Sequence, residues 1–430
     1  MADTMSATPK TLREASCADD YDPNSMPVAK ARELIRTFLT PVGAVERLHV
    51  RSALGRVLAT DVVSPIAVPG HDNSAMDGYA VRFADLKPDA ETVLKRIGES
   101  FAGKPWVGTI APGQCVRIFT GGVMPQGADS VVMQERASED ASGVRVAPGA
   151  LTKAGTNRRF AGEDLKAGQL VFRAGQRVNP AELGMIASLG LGEVSVYRKL
   201  RVAFFSTGDE LKSIGTPLAA GEIYDSNRYT LHGMLTRLNC EVLDMGVVED
   251  APDELERAFS SAAQSADVVI TSGGVSVGEA DYVKQLLDKL GEVLFWKIAM
   301  KPGRPLAYGK LGGAHFFGLP GNPVSVMVTF YQFVRDALRI LQGERDVKPL
   351  PTFRVPLSAP IKKAPGRTEF QRGILSPDGA GGWTARTTGD QGSGILSSMS
   401  QANCFIILGS DTGNVAAGET VDVQLLEGLI

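Results

Sequence analysis

Between Arg201 and Leu341, compact apolar runs alternate with stretches whose apolar residues recur every three or four positions. "RVAFFSTGDEL" predicts a buried strand that breaks at Thr207-Gly208. In "YDSNRYTLHGMLTRLNC", Leu231, Met234, Leu235 and Leu238 fall on one helix face, which Asp225 or Ser226 can cap. "EVLDMGVV" predicts the next strand. Leu255, Ala258, Phe259 and Ala262 predict a second helix, with Pro252 in its first turn. "ADVVIT" is again a strand, and Val283, Leu286, Leu287 and Leu290 give a third helix face. "EVLFWKI" and "AHFFGLPG" predict further strands, and "NPVSVMVTFYQFVRDALRIL" a long, mostly buried helix. Such alternation predicts βαβ units and a central, doubly wound, mostly parallel α/β domain over 201–346. Ligands of such sheets sit outside the carboxyl ends of the strands.

The flanks follow other rules. From Val63 to Pro148, short apolar runs are cut by Gly, Pro and Asp, which predicts a β-rich unit. "PVAKARELIRTFL" before it and "NPAELGMIASLG" after it predict helices. "AGEDLKAGQLVFRAGQRV" reads as strands and turns. Residues 347–430 carry turn signals at strand-like intervals and no good helix, so a small β-barrel or sandwich is expected. Residues 1–25 have the composition of a disordered leader.

Composition narrows the function. The 430 residues exceed one core, and 43% apolar and 22% charged content is ordinary for globular protein. A net charge of -3 gives no reason to expect nucleic-acid binding. No apolar stretch is long enough to span a membrane. The four cysteines and four histidines are scattered, without a zinc or disulfide pattern, which fits a reduced, cytoplasmic setting.

Candidate chemistry gathers at predicted strand ends. Ser272, Gly273 and Gly274 lie between a strand and a helix, where backbone N–H groups and the helix dipole suit an anion. A plain tight turn, with another backbone close by, is the simpler account. The stretch is neither a dinucleotide fingerprint nor a phosphate-binding loop of the Lys-Ser/Thr kind. Asp209, Glu210, Asp225, Glu279 and Asp281 also fall at or just beyond strand ends. Carboxylates beside an anion need a bridging cation, and Mg²⁺ shares oxygen ligands with phosphates. Helix capping is the alternative for Asp225. Lys297, Lys301 and Arg304 bracket Pro302-Gly303, Arg367 and Arg372 follow in "APGRTEFQRG", and Ser393 sits in "GDQGSG". Such donors suit an oxyanion, while solvated surface charge is the bland reading. "PGHDNSAMDGYAV" adds a polar loop to which spacing alone assigns no chemistry.

Taken in order, "DNSAMDGYAV", "RIFTGG", "VVMQE", "RRFAGED", "FSTGDEL", "YDSN", "SGGVSVGEADY", "KPGRP", "GLPGNPVS", "PGRTEFQRG" and "QGSG" resemble the molybdopterin molybdenumtransferase (MoeA) family, to which the C-terminal domain of gephyrin is similar. The likeness runs from about Val28 to the end. It implies a transferase that inserts molybdenum from molybdate into adenylated molybdopterin and releases AMP. It also implies four domains, with 26–62 and 149–200 forming one elongated linking and dimerisation domain, and a homodimer with clefts shared between subunits. Carried over by position, Asp77, Asp164, Glu210, Asp225 and Asp281 match catalytic acids, with Glu210, Asp225, Glu279 and Asp281 as Mg²⁺ ligands. Thr207, Gly208, Ser272, Gly273, Gly274, Ser276, Pro320, Gly321 and Asn322 match the pterin-binding turns. Lys297, Lys301, Arg304, Arg367 and Ser393 match the molybdate group, Arg304 replacing the Lys of many relatives. The family's partners would be an adenylyltransferase, molybdoenzymes or their chaperones, met transiently. An adenylyltransferase on a similar α/β domain and a non-enzymatic scaffold are the rival readings.

Overall fold

The computed structural model describes residues 26–274 and 280–426, without the side chains of 280–284 and Phe295. At its centre, β1 (Arg201–Thr207), α1 (Ser226–Arg237), β2 (Glu241–Val248), α2 (Pro252–Ser265), β3 (Val268–Ser272), α3 (Ala280–Leu290), β4 (Gly291–Lys297), β5 (Pro305–Leu311) and β6 (Ala314–Leu319) follow one another. They build a six-stranded sheet in the order β2-β1-β3-β6-β5-β4. β2, β1, β3 and β6 are parallel, while β5 runs antiparallel to both β6 and β4. The sheet is thus mostly parallel, as its βαβ pattern predicts. β5 begins in the stretch that reads as a basic Pro/Gly turn, and it is the one antiparallel strand, set between β6 and the edge strand β4.

Strand alternation divides the core. Val202, Phe204 and Ile270 point to one face, against Leu231, Met234 and Leu235 of α1. Ala203, Phe205 and Val269 point to the other, against Leu255 and Phe259 of α2 and Leu286 and Leu287 of α3. Both faces are covered, which explains the continuous apolar strands. The long C-terminal helix is α4 (Pro323–Thr329), a π-helical stretch (Phe330–Val334) and α5 (Arg335–Leu341) in succession.

The β-rich unit is a sheet built from 78–81, 92–100, 114–118, 130–133, 137–140 and 143–146. The linking segments pair Val45–His49 with Glu193–Tyr197 and bury Val50, Leu58, Val178, Ile186 and Val196 together. Helix Val28–Thr37 packs elsewhere. Ala31, Leu34 and Ile35 join the central core, and Met26 bonds through its backbone to Lys297 and Ala299. Grouping all of 26–62 with the linking segments therefore does not describe where this helix is buried. Its amphipathic face specifies burial, not the core that receives it.

In the C-terminal unit, strand Thr368–Pro377 pairs with Cys404–Leu408 and Trp383–Thr387. Thr352–Pro356 lies at the far side on Thr420–Leu425, and Leu357 bridges back to Ala385, closing a small barrel. Met300–Lys301 of the central unit joins the edge of this sheet beside Thr368-Glu369. One short helix, Ser397–Gln401, interrupts the strands where none is expected.

Candidate active site

β1, β3 and β6 are neighbours, so their carboxyl ends deliver three turns side by side. Thr207-Gly208, Ser272-Gly273-Gly274 and Pro320-Gly321-Asn322 form one wall of a cleft of about 980 Å³. Glu210, Asp225, Asn227 and Asp250 line it as well, with Lys301, Arg304 and the Gln391–Gly394 loop of the C-terminal unit.

The glycine turn is shaped by a neighbouring backbone. Gly273 has φ +91°, and a Cβ there would lie 2.6 Å from the Thr207 carbonyl oxygen. A side chain would be strained by its dihedral and blocked by β1. Asn227 locks the turns together. Its Nδ2 donates to the Ser272 hydroxyl at 2.8 Å and to the Gly321 carbonyl at 2.6 Å. One buried amide at the start of α1 therefore ties two strand ends together.

Asp225 is 1% exposed and caps α1, its Oδ1 accepting from the Arg228 N–H at 3.1 Å. Capping is thus realised, but it does not exhaust the residue. Asp225 Oδ2, Thr207 Oγ1 and Asn227 Oδ1 are buried and have no hydrogen-bond partner. Buried polar atoms of this kind cost free energy unless something else satisfies them. A divalent cation fits part of this set. Asp225 offers an orphaned carboxylate oxygen, and Glu210 lines the same cleft. Among the described residues, no group of three or more His, Cys, Asp or Glu side chains could hold a metal alone. One or two carboxylates shared with a phosphate is the usual Mg²⁺ arrangement, and a closed cage is not needed.

The opposite wall is anchored on Arg372, which is 1% exposed. Its Nη2 donates to the Gly392 carbonyl and its Nε to the Ser398 hydroxyl, both at 3.0 Å. Burial lowers the affinity of this guanidinium for its proton, and Asp390 nearby offsets part of that. From the other side, the Ser393 carbonyl accepts the Val324 N–H at 3.1 Å, at the start of α4. Ser393 is thus held between the two units. Lys301 Nζ stands 3.7 Å from the Glu369 carboxylate, and the lysine side chain is half exposed.

The predicted residues separate into groups. Thr207, Gly208, Glu210, Asp225, Ser272, Gly273, Gly274, Lys301, Arg304, Pro320, Gly321, Asn322 and Ser393 all line the cleft. Lys297 ends β4 and Arg367 sits exposed just before strand Thr368–Pro377; neither is part of the lining. Asp77 and Asp164 lie in the β-rich and linking segments, also away from the lining. Asp77 Oδ1 accepts the Thr120 backbone N–H and hydroxyl, each at 2.7 Å. These bonds, the backbone one foremost, hold its carboxyl below the usual carboxylate range. Asp164 is exposed, and its N–H donates to Val68. Ser276 and Glu279 lie outside the described residues, and so does the side chain of Asp281.

Sequence reasoning passed over Asn227 and Asp250 as site residues and left Arg372 as one cation among several. Asp250 lies just past β2, where the strand-end rule already points. Asn227 stands inside "YDSN", two residues after a cap, a position that reads first as helix.

Family models match three consecutive stretches: "MoeA N-terminal region (domain I and II)" over 26–190, "Probable molybdopterin binding domain" over 203–340, and "MoeA C-terminal region (domain IV)" over 354–426. A molybdopterin molybdenumtransferase of Haemophilus influenzae is 47% identical over 385 residues, covering 90% of this chain and 95% of its own. One from a Nostoc species is 42% identical over 305 residues, covering 69% and 70%. The crystal structure of a molybdopterin biosynthesis moeA protein from Pyrococcus horikoshii superposes with a TM-score of 0.80 at 29% identity, over 93% of this chain and 100% of that one. The chain belongs to the MoeA family.

Proposed function

We propose that this protein is a molybdopterin molybdenumtransferase that inserts molybdenum from molybdate into adenylated molybdopterin and releases AMP. The observation that carries the reading is the meeting of two unlike donor sets in one cleft, the anion-binding turns at the ends of β1, β3 and β6 and the cationic and hydroxyl donors of Lys301, Arg304 and the C-terminal unit's Ser393.

Gly273 and Gly274 present backbone to the phosphate groups of the adenylate. Asn227 keeps that turn in register with the Gly321 turn. Asp225 and Glu210, with Glu279 and Asp281 by resemblance, would hold Mg²⁺. That ion, when bound, supplies charge neutralisation at the pyrophosphate. Lys301, Arg304 and Ser393 gather molybdate through charge-assisted hydrogen bonds, with Lys297 and Arg367 as flanking positive charge. The metal enters as substrate, and the pterin dithiolene receives it. Cys115, Cys240 and Cys404 are buried and take no part.

Asp77 and Asp164 act across a homodimer in this reading, reaching the partner's cleft from the β-rich and linking segments. Cytoplasmic placement and transient contacts with an adenylyltransferase and with molybdoenzymes or their chaperones complete the proposal. Among the described residues, no helix is long and apolar enough to cross a membrane.

The test is AMP release from adenylated molybdopterin by purified protein with Mg²⁺, with and without molybdate. Release that rises with molybdate is expected. No AMP under either condition would overturn the proposal.

A further inference from the structure

We infer that Glu344 is a positioning residue that locks the linking segments and the α/β unit into one fixed joint. Glu344 follows α5 and is mostly buried, with 10% of its side chain exposed. It receives two arginines. Arg177, from the linking segment, donates through Nη2 at 2.9 Å and Nε at 3.1 Å. Arg339, from α5, donates through Nε at 2.9 Å and through Nη2 to the other oxygen. Arg177 also donates across the same seam to Gln342 Oε1 at 2.8 Å, and within the linking unit to the Gly55 carbonyl at 2.6 Å. Gln342 in turn donates to the Leu238 carbonyl at the end of α1.

Shape reinforces charge. Gly343 has φ +89°, and a Cβ there would lie 2.3 Å from the Tyr197 ring of the linking segment. The ring therefore seats on a bare backbone. Arg345 N–H donates to the Gly175 carbonyl at 3.0 Å, adding a backbone tie. Beside the chain crossing into β1, Arg198 grips Asp267 with two bonds, at 2.7 and 2.6 Å. Two fastenings and a seated ring resist rotation as well as separation. A flexible hinge would have exposed, sparsely bonded backbone at this seam.

A locked joint has a use. If Asp77 serves the partner's cleft, as proposed above, the angle between the units decides where it arrives. Removing the carboxylate leaves two arginines facing one another without a counter-charge, and a buried pair broken from one side is strongly disfavoured.

The experiment uses full-length protein with Cys17→Ser and spin labels at Ser188→Cys and Ser261→Cys, exposed positions on the two units. Labelled chains are diluted with unlabelled ones and pulsed electron resonance reads the distance distribution. A narrow distribution is expected for this background, and a broadened, shifted one for Glu344→Gln. Gly343→Ala opens the seam sterically and serves if Glu344→Gln fails to fold. Unchanged distributions in folded variants would overturn the joint. Turnover should fall with half-saturating molybdate unchanged, and broadened distances with unaltered turnover would overturn its part in presenting Asp77. Absence of turnover in the unsubstituted protein would instead remove the proposed reaction and leave the distance test standing.

Discussion

Asn227 donates to the hydroxyl of Ser272 at 2.8 Å, and this one bond ties the start of α1 to the glycine turn at the end of β3. The same amide reaches the Gly321 carbonyl, so three chain segments depend on it. Asn227→Ala leaves a buried hydroxyl and a carbonyl without their donor. A stability loss of about 1–3 kcal/mol is expected in chemical denaturation, and turnover should fall further than stability alone explains. Full turnover in a folded variant would remove the amide from the site's construction.

A pH effect arises away from the cleft. His315 in β6 is buried beside Tyr308, and burial, with Lys310 adding to it, pushes its pKa down to about 4 from an ordinary 6.5. Above pH 6.5 the ring is neutral in both folded and unfolded chains. Between 6.5 and 4 the unfolded chain takes up a proton that the folded one refuses, so stability is lost as pH falls. The loss reaches about 3 kcal/mol at its acid limit. Denaturation of the protein and of His315→Asn across pH 7.5 to about 4 should show that part of the slope missing in the variant. Parallel curves would contradict it.

Much of this was legible from residue pattern alone, for reasons visible in particular elements. β1 and β3 are buried on both faces, so their apolar runs stand out, and their order brings Thr207, Ser272 and Pro320 to one edge. β5 was hidden because Pro305 and Gly309 sit among basic residues and resemble a turn. Helix Val28–Thr37 was legible as a helix, but its apolar stripe does not name the core that Ala31 and Ile35 enter. The placement of Arg367 and Asp77 outside the lining follows from packing between units, which local spacing does not encode. Arg372 reads as surface charge until the Gly392 carbonyl is seen on its guanidinium.

The shared-cleft reading predicts complementation. Asp77→Ala and Asp225→Ala should each lose turnover as homodimers. Mixed after subunit exchange, they should recover part of it, because a heterodimer contains one cleft with both native residues. No recovery despite demonstrated exchange would place both residues in one subunit's site or make Asp77 structural.

The central claim is that the two walls hold different ligands, and Lys301 tests it most directly. Molybdate is small and depends on a few charge-assisted hydrogen bonds. Losing one weakens its use by roughly ten- to a hundred-fold. The measurement is initial AMP release against molybdate concentration for the native protein and Lys301→Ala, paired with direct binding of adenylated molybdopterin. A rightward shift in the molybdate curve, with pterin binding little changed, is the predicted result. Loss of pterin binding with the molybdate curve unmoved would contradict the account and assign the basic wall to the phosphates.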